Sequence, residues 1–142
     1  MAHAIVYTEF GGPEVLTYAE IPTPTPGASE VVVAVTAAGV NPIEYKLRSG
    51  LRPSAAITSP RRVGSDGAGV VAAVGADVDG LRPGQRAAFS GATGAYASHV
   101  ALAAERVVPI PNSVSDAQAA AIGIPVGTAY QALRSLGVSA GD

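Results

Sequence analysis

Apolar positions along the chain fall into short runs separated by glycine and proline. Ala4 to Thr8 is a short apolar run, followed by the Gly11-Gly12-Pro13 breaker. Val15 to Ile21 alternates loosely, with Val15, Thr17 and Ala19 on one side and Leu16, Tyr18 and Glu20 on the other. Pro22, Pro24 and Pro26 then impose an extended connection ending at Gly27. Glu30 to Ala38 is rich in Val, the pattern of a strand buried on both sides. Gly67 to Val74 is a second small-and-branched run, closed by Gly75. Gln85 to Phe89, Tyr96 to Leu102 and Arg106 to Ile110 predict three more short strands. Short strands with frequent turns predict a barrel or a sandwich.

Two regions predict helix. Asn41 to Ser49 carries Ile43, Tyr45 and Leu47, with Pro42 at a natural first position and Gly50 just past the end. Near the C-terminus, Ser115 with Gln118 resembles a capping box, and Asp116 suits the positive helix end. Ala117 to Ile122 follows, with a break predicted at Gly123 and Pro125. Val126 to Leu136 continues as a helix with Tyr130, Leu133 and Leu136 on one apolar stripe, stopped by Gly137. The segment Val138 to Asp142 predicts a turn. No internal repeat and no interdomain linker interrupts the 142 residues, which form one domain.

Composition narrows the chemistry. With no Cys there is no disulfide framework, no thiolate metal site and no Cys nucleophile. An apolar fraction of 48% places the chain outside the disordered class. The net charge of -2 leaves no basic surplus for nucleic acid. The longest apolar run, Val31 to Val40, is broken by Thr36 and is too short to span a membrane. Met1 to Phe10 lacks the basic and apolar regions of a signal peptide, so the expected location is cytoplasmic. The basic residues are all Arg except Lys46.

The densest chemistry lies in Ala37 to Gly50. A buried strand ends at Gly39 and throws Asn41, Tyr45, Lys46 and Arg48 together at the start of a helix. Small-molecule sites collect at such strand ends. On the residues alone two readings stand. Either Asn41 is a helix cap with Tyr45, Lys46 and Arg48 as solvated surface, or the group binds a ligand. The glycines of Gly64 to Gly75 allow positive φ and close backbone approach, but no Lys-Ser or Lys-Thr pair makes a phosphate loop. His3 and His99 are isolated, each expected to be structural within its strand.

AGVNPIEYKLRSG, GSDGAGVVAAVGADVDGLRPGQR and AAAIGIPVGTAYQAL, in this order and spacing, resemble the medium-chain dehydrogenase/reductase superfamily, and within it the zinc-free quinone oxidoreductase (zeta-crystallin-like) branch. The opening AIVYTEFGGPEVLTYAEIPTPTPGASEVVVAVTAAGVNP also fits that branch. The resemblance implies a mainly β fold with flanking helices: the GroES-like, distorted β barrel of the alcohol dehydrogenase N-terminal domain type. In this scheme residues 1–142 are the catalytic, substrate-binding domain, and the helices of 115–137 lead toward a Rossmann domain absent from this chain. Zinc-dependent relatives place a Cys where this chain has Asn41 and a His-Glu pair where it has Ser65-Asp66. Asn and Ser are not usual zinc ligands, so the resemblance implies metal-free hydride transfer.

The resemblance also implies roles. The residue matching Asn41 lies beside the nicotinamide. Those matching Tyr45 and Lys46 line the substrate pocket, and the one matching Thr128 contacts the cofactor near its nicotinamide end. Many bacterial quinone reductases carry Tyr where Lys46 stands and Thr where Tyr45 stands, which leaves open whether Tyr45 or Lys46 is the polar anchor. The usual Gly-Asp-Arg-Val turn appears as Gly84-Gln85-Arg86-Ala87, and Arg61 and Arg62 are expected on the surface. The implied cofactor is NADPH or NADH, held mostly outside this chain, and the implied substrate is a quinone or enone. The full-length form is expected to be a homo-oligomer. Gly141-Asp142 matches the point where relatives begin their first Rossmann strand, so the chain alone is expected to lack activity. The alternatives are a GroES-like binding or assembly module, or a remnant with no catalysis of its own.

Overall fold

In a computed structural model, which describes residues 1–139 and 141, the Val-rich segment becomes β3 (Glu30–Ala38), and it organises the chain around itself. Val31 and Val33 are fully buried and face a cluster built from Val71, Phe89, Val100 and Leu102. Branched side chains at period two fill this space at little rotamer cost. β3 pairs antiparallel with β5 (Gly67–Val74) on one side and β7 (His99–Ala103) on the other. β6 (Arg86–Phe89) and β8 (Val107–Pro109) extend the sheet to the order β7-β3-β5-β6-β8. A second, three-stranded sheet has the order β2-β1-β4, from β1 (Ala2–Tyr7), β2 (Thr17–Ile21) and β4 (Arg61–Arg62). The helices are α1 (Pro42–Arg48), α2 (Asp116–Ala120) and α3 (Gly123–Ser135). This is the mainly β, GroES-like architecture that the resemblance implies.

Close approach in β5 depends on glycine. A Cβ on Gly69 would fall 2.0 Å from the carbonyl oxygen of Ala34, and one on Gly67 would fall 2.4 Å from the Phe89 ring. Register places Gly67 opposite both Ala38 and Phe89. The end of β3, the start of β5 and the end of β6 therefore meet at one edge of the sheet.

Several boundaries differ from the sequence expectation. The strand predicted from Val15 starts at Thr17, because Pro13–Val15 forms a single 3-10 turn. The strand predicted from Tyr96 starts at His99; the Tyr96 carbonyl instead accepts from Ile5 N–H at 2.8 Å, and Ala97 forms an isolated bridge to Ala4. Arg61 and Arg62 pair with Tyr7 and Val6 as a short strand, a role the surface reading missed. The predicted break at Gly123 and Pro125 lies earlier, at Ala121–Ile122. Pro125 sits in the first turn of α3, where a missing N–H costs no intrahelical bond. Gly137 ends that helix with a φ of 71°. Of the turn predicted over Val138 to Asp142, Ala140 and Asp142 lie outside the described residues.

Candidate active site at the sheet edge

Three loops leave the sheet at the shared edge, and each carries a polar side chain inward. Asp66 immediately precedes β5, Ser90 immediately follows β6, and Asn41 stands between β3 and α1. The backbone closes the group, since Gly39 N–H donates to the Asp66 carbonyl at 2.9 Å.

Asn41 occupies the N-cap position of α1 and forms a capping box with Glu44, its side chain facing the Glu44 backbone N–H without reaching full hydrogen-bond geometry. Its backbone N–H donates to Glu44 Oε2 at 2.5 Å, and its side chain turns to Asp66, where Nδ2 donates to Oδ2 at 2.9 Å. Glu44 Oε1 lies 3.5 Å from the same Nδ2. Two carboxylates on one side fix the amide, because carboxylate oxygens accept and only the NH₂ end donates. Oδ1 is left buried and without a hydrogen-bond partner. A buried acceptor in that state costs roughly 1–3 kcal/mol.

Asp66 is fully buried. Besides Asn41 it accepts from Ser90 Oγ at 2.6 Å and from the backbone N–H of Ile124, in the first turn of α3, at 2.7 Å. Burial of a carboxyl is tolerated here because donors from three elements converge on it. Nearby, burial and the negative charge of Glu44 push the Tyr96 hydroxyl above its usual range.

Of the residues singled out from sequence, Asn41 is in this cluster. Tyr45 and Lys46 lie on the exposed face of α1, with Lys46 Nζ 6.0 Å from the Tyr45 ring centroid, a cation–π contact. Thr128 is exposed on α3, one turn beyond Ile124 and therefore on the same helix side. The structure thus joins Asn41 to the base of the helix that carries Thr128, while Tyr45 and Lys46 flank the cluster. Sequence reasoning missed Glu44 and Asp66 as site residues. The Asn41-x-x-Glu44 spacing is a helix-start signal that points to Glu44. The sequence marks Asp66 only, with Ser65, as the place of a His-Glu pair in zinc-dependent relatives, because its partners lie 24, 25 and 58 residues away.

An apolar cleft of about 310 Å³ opens beside Ser90 and Gly123, walled by Phe89, Val108, Ile110 and Ile122. Among the described residues no cluster of three or more His, Asp or Glu is arranged to hold a metal ion, and no helix is long and apolar enough to cross a membrane. His3 and His99 sit in β1 and β7, His3 stacking on Tyr18 at 5.0 Å.

Comparison with known proteins completes the picture. Residues 27–112 match the family of alcohol dehydrogenase GroES-like domains. The chain is 42% identical over 123 residues to a quinone oxidoreductase of Pseudomonas aeruginosa, covering 86% of this chain and 37% of the relative. It is 40% identical over 146 residues to a human quinone oxidoreductase, covering 100% of this chain and 44% of the relative. The solved structure of Escherichia coli quinone oxidoreductase complexed with NADPH superposes with a TM-score of 0.86 at 32% identity, covering 94% of this chain and 41% of that one. The chain spans about two-fifths of the length of these relatives. With the barrel and the family match in agreement, this chain belongs to the alcohol dehydrogenase GroES-like domain family, and its relatives there include quinone oxidoreductases.

Proposed function

We propose that this chain is the substrate-binding portion of a metal-free, nicotinamide-dependent oxidoreductase that reduces a quinone or an enone. The observation that carries this reading is the meeting of Asn41 with the base of α3 on the Asp66 carboxylate. The free atom on Asn41 is an acceptor, so its partner brings an N–H or O–H. The carboxamide and ribose of a nicotinamide cofactor both supply such donors. A quinone carbonyl, which only accepts, finds no free donor on Asn41. Thr128 adds a hydroxyl one turn along the helix.

In this reading the bound cofactor, NADPH or NADH, supplies the hydride, and most of its binding site falls outside this chain. The chain's own residues orient the reactants. Lys46 or Tyr45 donates a hydrogen bond to the substrate oxygen, which gains negative charge as hydride arrives. Exposure leaves both groups free to reach a substrate on the α1 face. The working form is a cytoplasmic homo-oligomer of a longer chain.

The test is a fusion of this chain to the cofactor-binding remainder of the Escherichia coli relative, assayed by NADPH oxidation with a small quinone. The fusion is expected to turn over. Asn41→Ala should lower kcat/KM by about 10²-fold and Lys46→Ala by about tenfold. A folded fusion that turns over equally well with both substitutions sinks the assignment. Titration of NADPH into the chain alone should show no micromolar binding. Such binding would place the cofactor's main site here and contradict the division proposed.

A further inference from the structure

We propose that Asp66 is the positioning residue of this site, and that its Oδ2 atom sets Asn41 and α3 in one frame. The proposal rests on the reading of Asn41 and Thr128 as cofactor contacts. One oxygen does both jobs: Oδ2 accepts from Asn41 Nδ2 at 2.9 Å and from Ile124 N–H at 2.7 Å. The other oxygen is held by Ser90 Oγ at 2.6 Å, which stops the carboxylate from turning about its bond. A change in the pose of Asp66 therefore moves the Asn41 amide and the start of α3 together.

The surroundings are shaped to this side chain. A Cβ on Gly123 would fall 2.6 Å from Asp66 Cγ, and one on Gly39 would fall 3.0 Å from Asp66 Cβ. Both positions are glycine, so two backbones close over the carboxylate without displacing it. Packing of α3 is confined largely to its first turn, where Gly123 lies against Asp66, and the helix has no fully buried residue. Its first-turn N–H groups have no intrahelical acceptor, and Asp66 satisfies one of them. The same contact dictates the chemistry of Asn41. Since Nδ2 faces carboxylate oxygens, the amide presents Oδ1.

Two substitutions separate this role from space-filling. In Asp66→Asn the amide oxygen can take the place of Oδ2, with its NH₂ toward Ser90, whose hydroxyl then accepts. Asp66→Ala removes every acceptor. The readouts are the side-chain NH₂ resonances of Asn41 and the hydrogen exchange of the Ile124 amide, both by NMR on this chain without cofactor. In the native chain the Asn41 pair should be well resolved. Asp66→Asn should keep that signature and hold Ile124 exchange within about threefold of native. Asp66→Ala should collapse the Asn41 pair and speed Ile124 exchange about tenfold or more, while the Val33 and Val100 amides stay protected. Native signals in Asp66→Ala overturn the proposal. So does loss of the Asn41 signature in Asp66→Asn, a test that stands even if the alanine variant fails to fold. Failure of the NADPH-linked fusion assay leaves these signals unaffected, and their failure leaves that assay unaffected, so the two readings fall separately.

Discussion

The two C-terminal helices follow one another in the chain and are attached to the barrel by different physics. α2 has only five residues, yet Ala119 and Ala120 are buried against Ala68 of β5. Ser115 caps it, accepting from Gln118 N–H at 3.2 Å, while Gln118 Oε1 accepts from Ser115 N–H at 2.9 Å. Asp116 ties its first turn to two strands, accepting from Thr36 Oγ1 at 2.6 Å and forming a salt bridge with Arg86 at 2.6 Å. α3 is more than twice as long, has no fully buried residue, and donates from Ile124 N–H to Asp66 in its first turn. Ile122, Val126, Tyr130, Leu133 and Leu136 are all exposed. The difference teaches that α2 is held by packing along its length, whereas α3 is anchored at its first turn, by its short connection to α2 and the Ile124–Asp66 bond. A short isolated helix is marginal in water, so α2 persists through its tertiary contacts.

The largest break in this comparison comes from charge placed on each helix in turn. Ala119→Asp puts a carboxylate into the apolar cluster with Ala68, Ala37 and Ala88 and should cost on the order of 3–5 kcal/mol, close to the whole stability of a small domain. Leu133→Asp, on the bare helix, should change the denaturation midpoint by no more than about 0.5 kcal/mol equivalent. Urea denaturation of both variants measures the contrast. Equal losses would mean that α3 is packed after all.

A smaller effect is expected from the tie at Asp116. The hydrogen bond from Thr36, with help from Arg86, holds its carboxyl below the usual carboxylate range. A lowered folded-state pKa gives stability that is present above the unfolded value, about 3.9, and is lost as pH falls through the folded value. Asp116→Asn should cost about 1–2 kcal/mol near neutrality. That gap from the native chain should narrow as pH drops from about 5 to about 2. A gap constant across this window would remove the ionised carboxylate as its source. Ser115→Ala should cost about 1 kcal/mol through the lost cap, with no such pH dependence.

The same contrast explains what sequence could and could not reveal. β3 and β5 are legible to the residue because long Val-rich runs bounded by glycine have one physical solution. The caps at Asn41 and Ser115 are legible as positions, since capping is a matter of nearest neighbours. What Asn41 does with its side chain is not, because Asp66 lies 25 residues away and only the register of β3, β5 and β6 brings the two together. The Arg61–Arg62 strand escapes notice for a related reason. Two residues carry no period, and the pairing with β1 is dictated from the partner's side. The apolar stripe of Tyr130, Leu133 and Leu136 is real as a pattern, and no buried partner meets it among the described residues. Periodicity reports that a face is apolar and is silent about what covers it.

That stripe sets the last and smallest test. Contiguous exposed apolar side chains promote association. This chain should therefore self-associate as its concentration rises, through α3 and not through the barrel. Leu133→Lys combined with Leu136→Lys should abolish the concentration dependence in sedimentation velocity, with a change in folding stability of only about 0.5 kcal/mol or less. The matched control is Tyr18→Lys, which adds charge at an exposed aromatic residue on β2, in the three-stranded sheet. It should leave the association unchanged. If the control disperses the chain as well as the α3 pair does, the attraction is general stickiness. If only the α3 pair does, the bare helix is a defined contact surface, and the contrast with α2 becomes a difference in what each helix is built to meet.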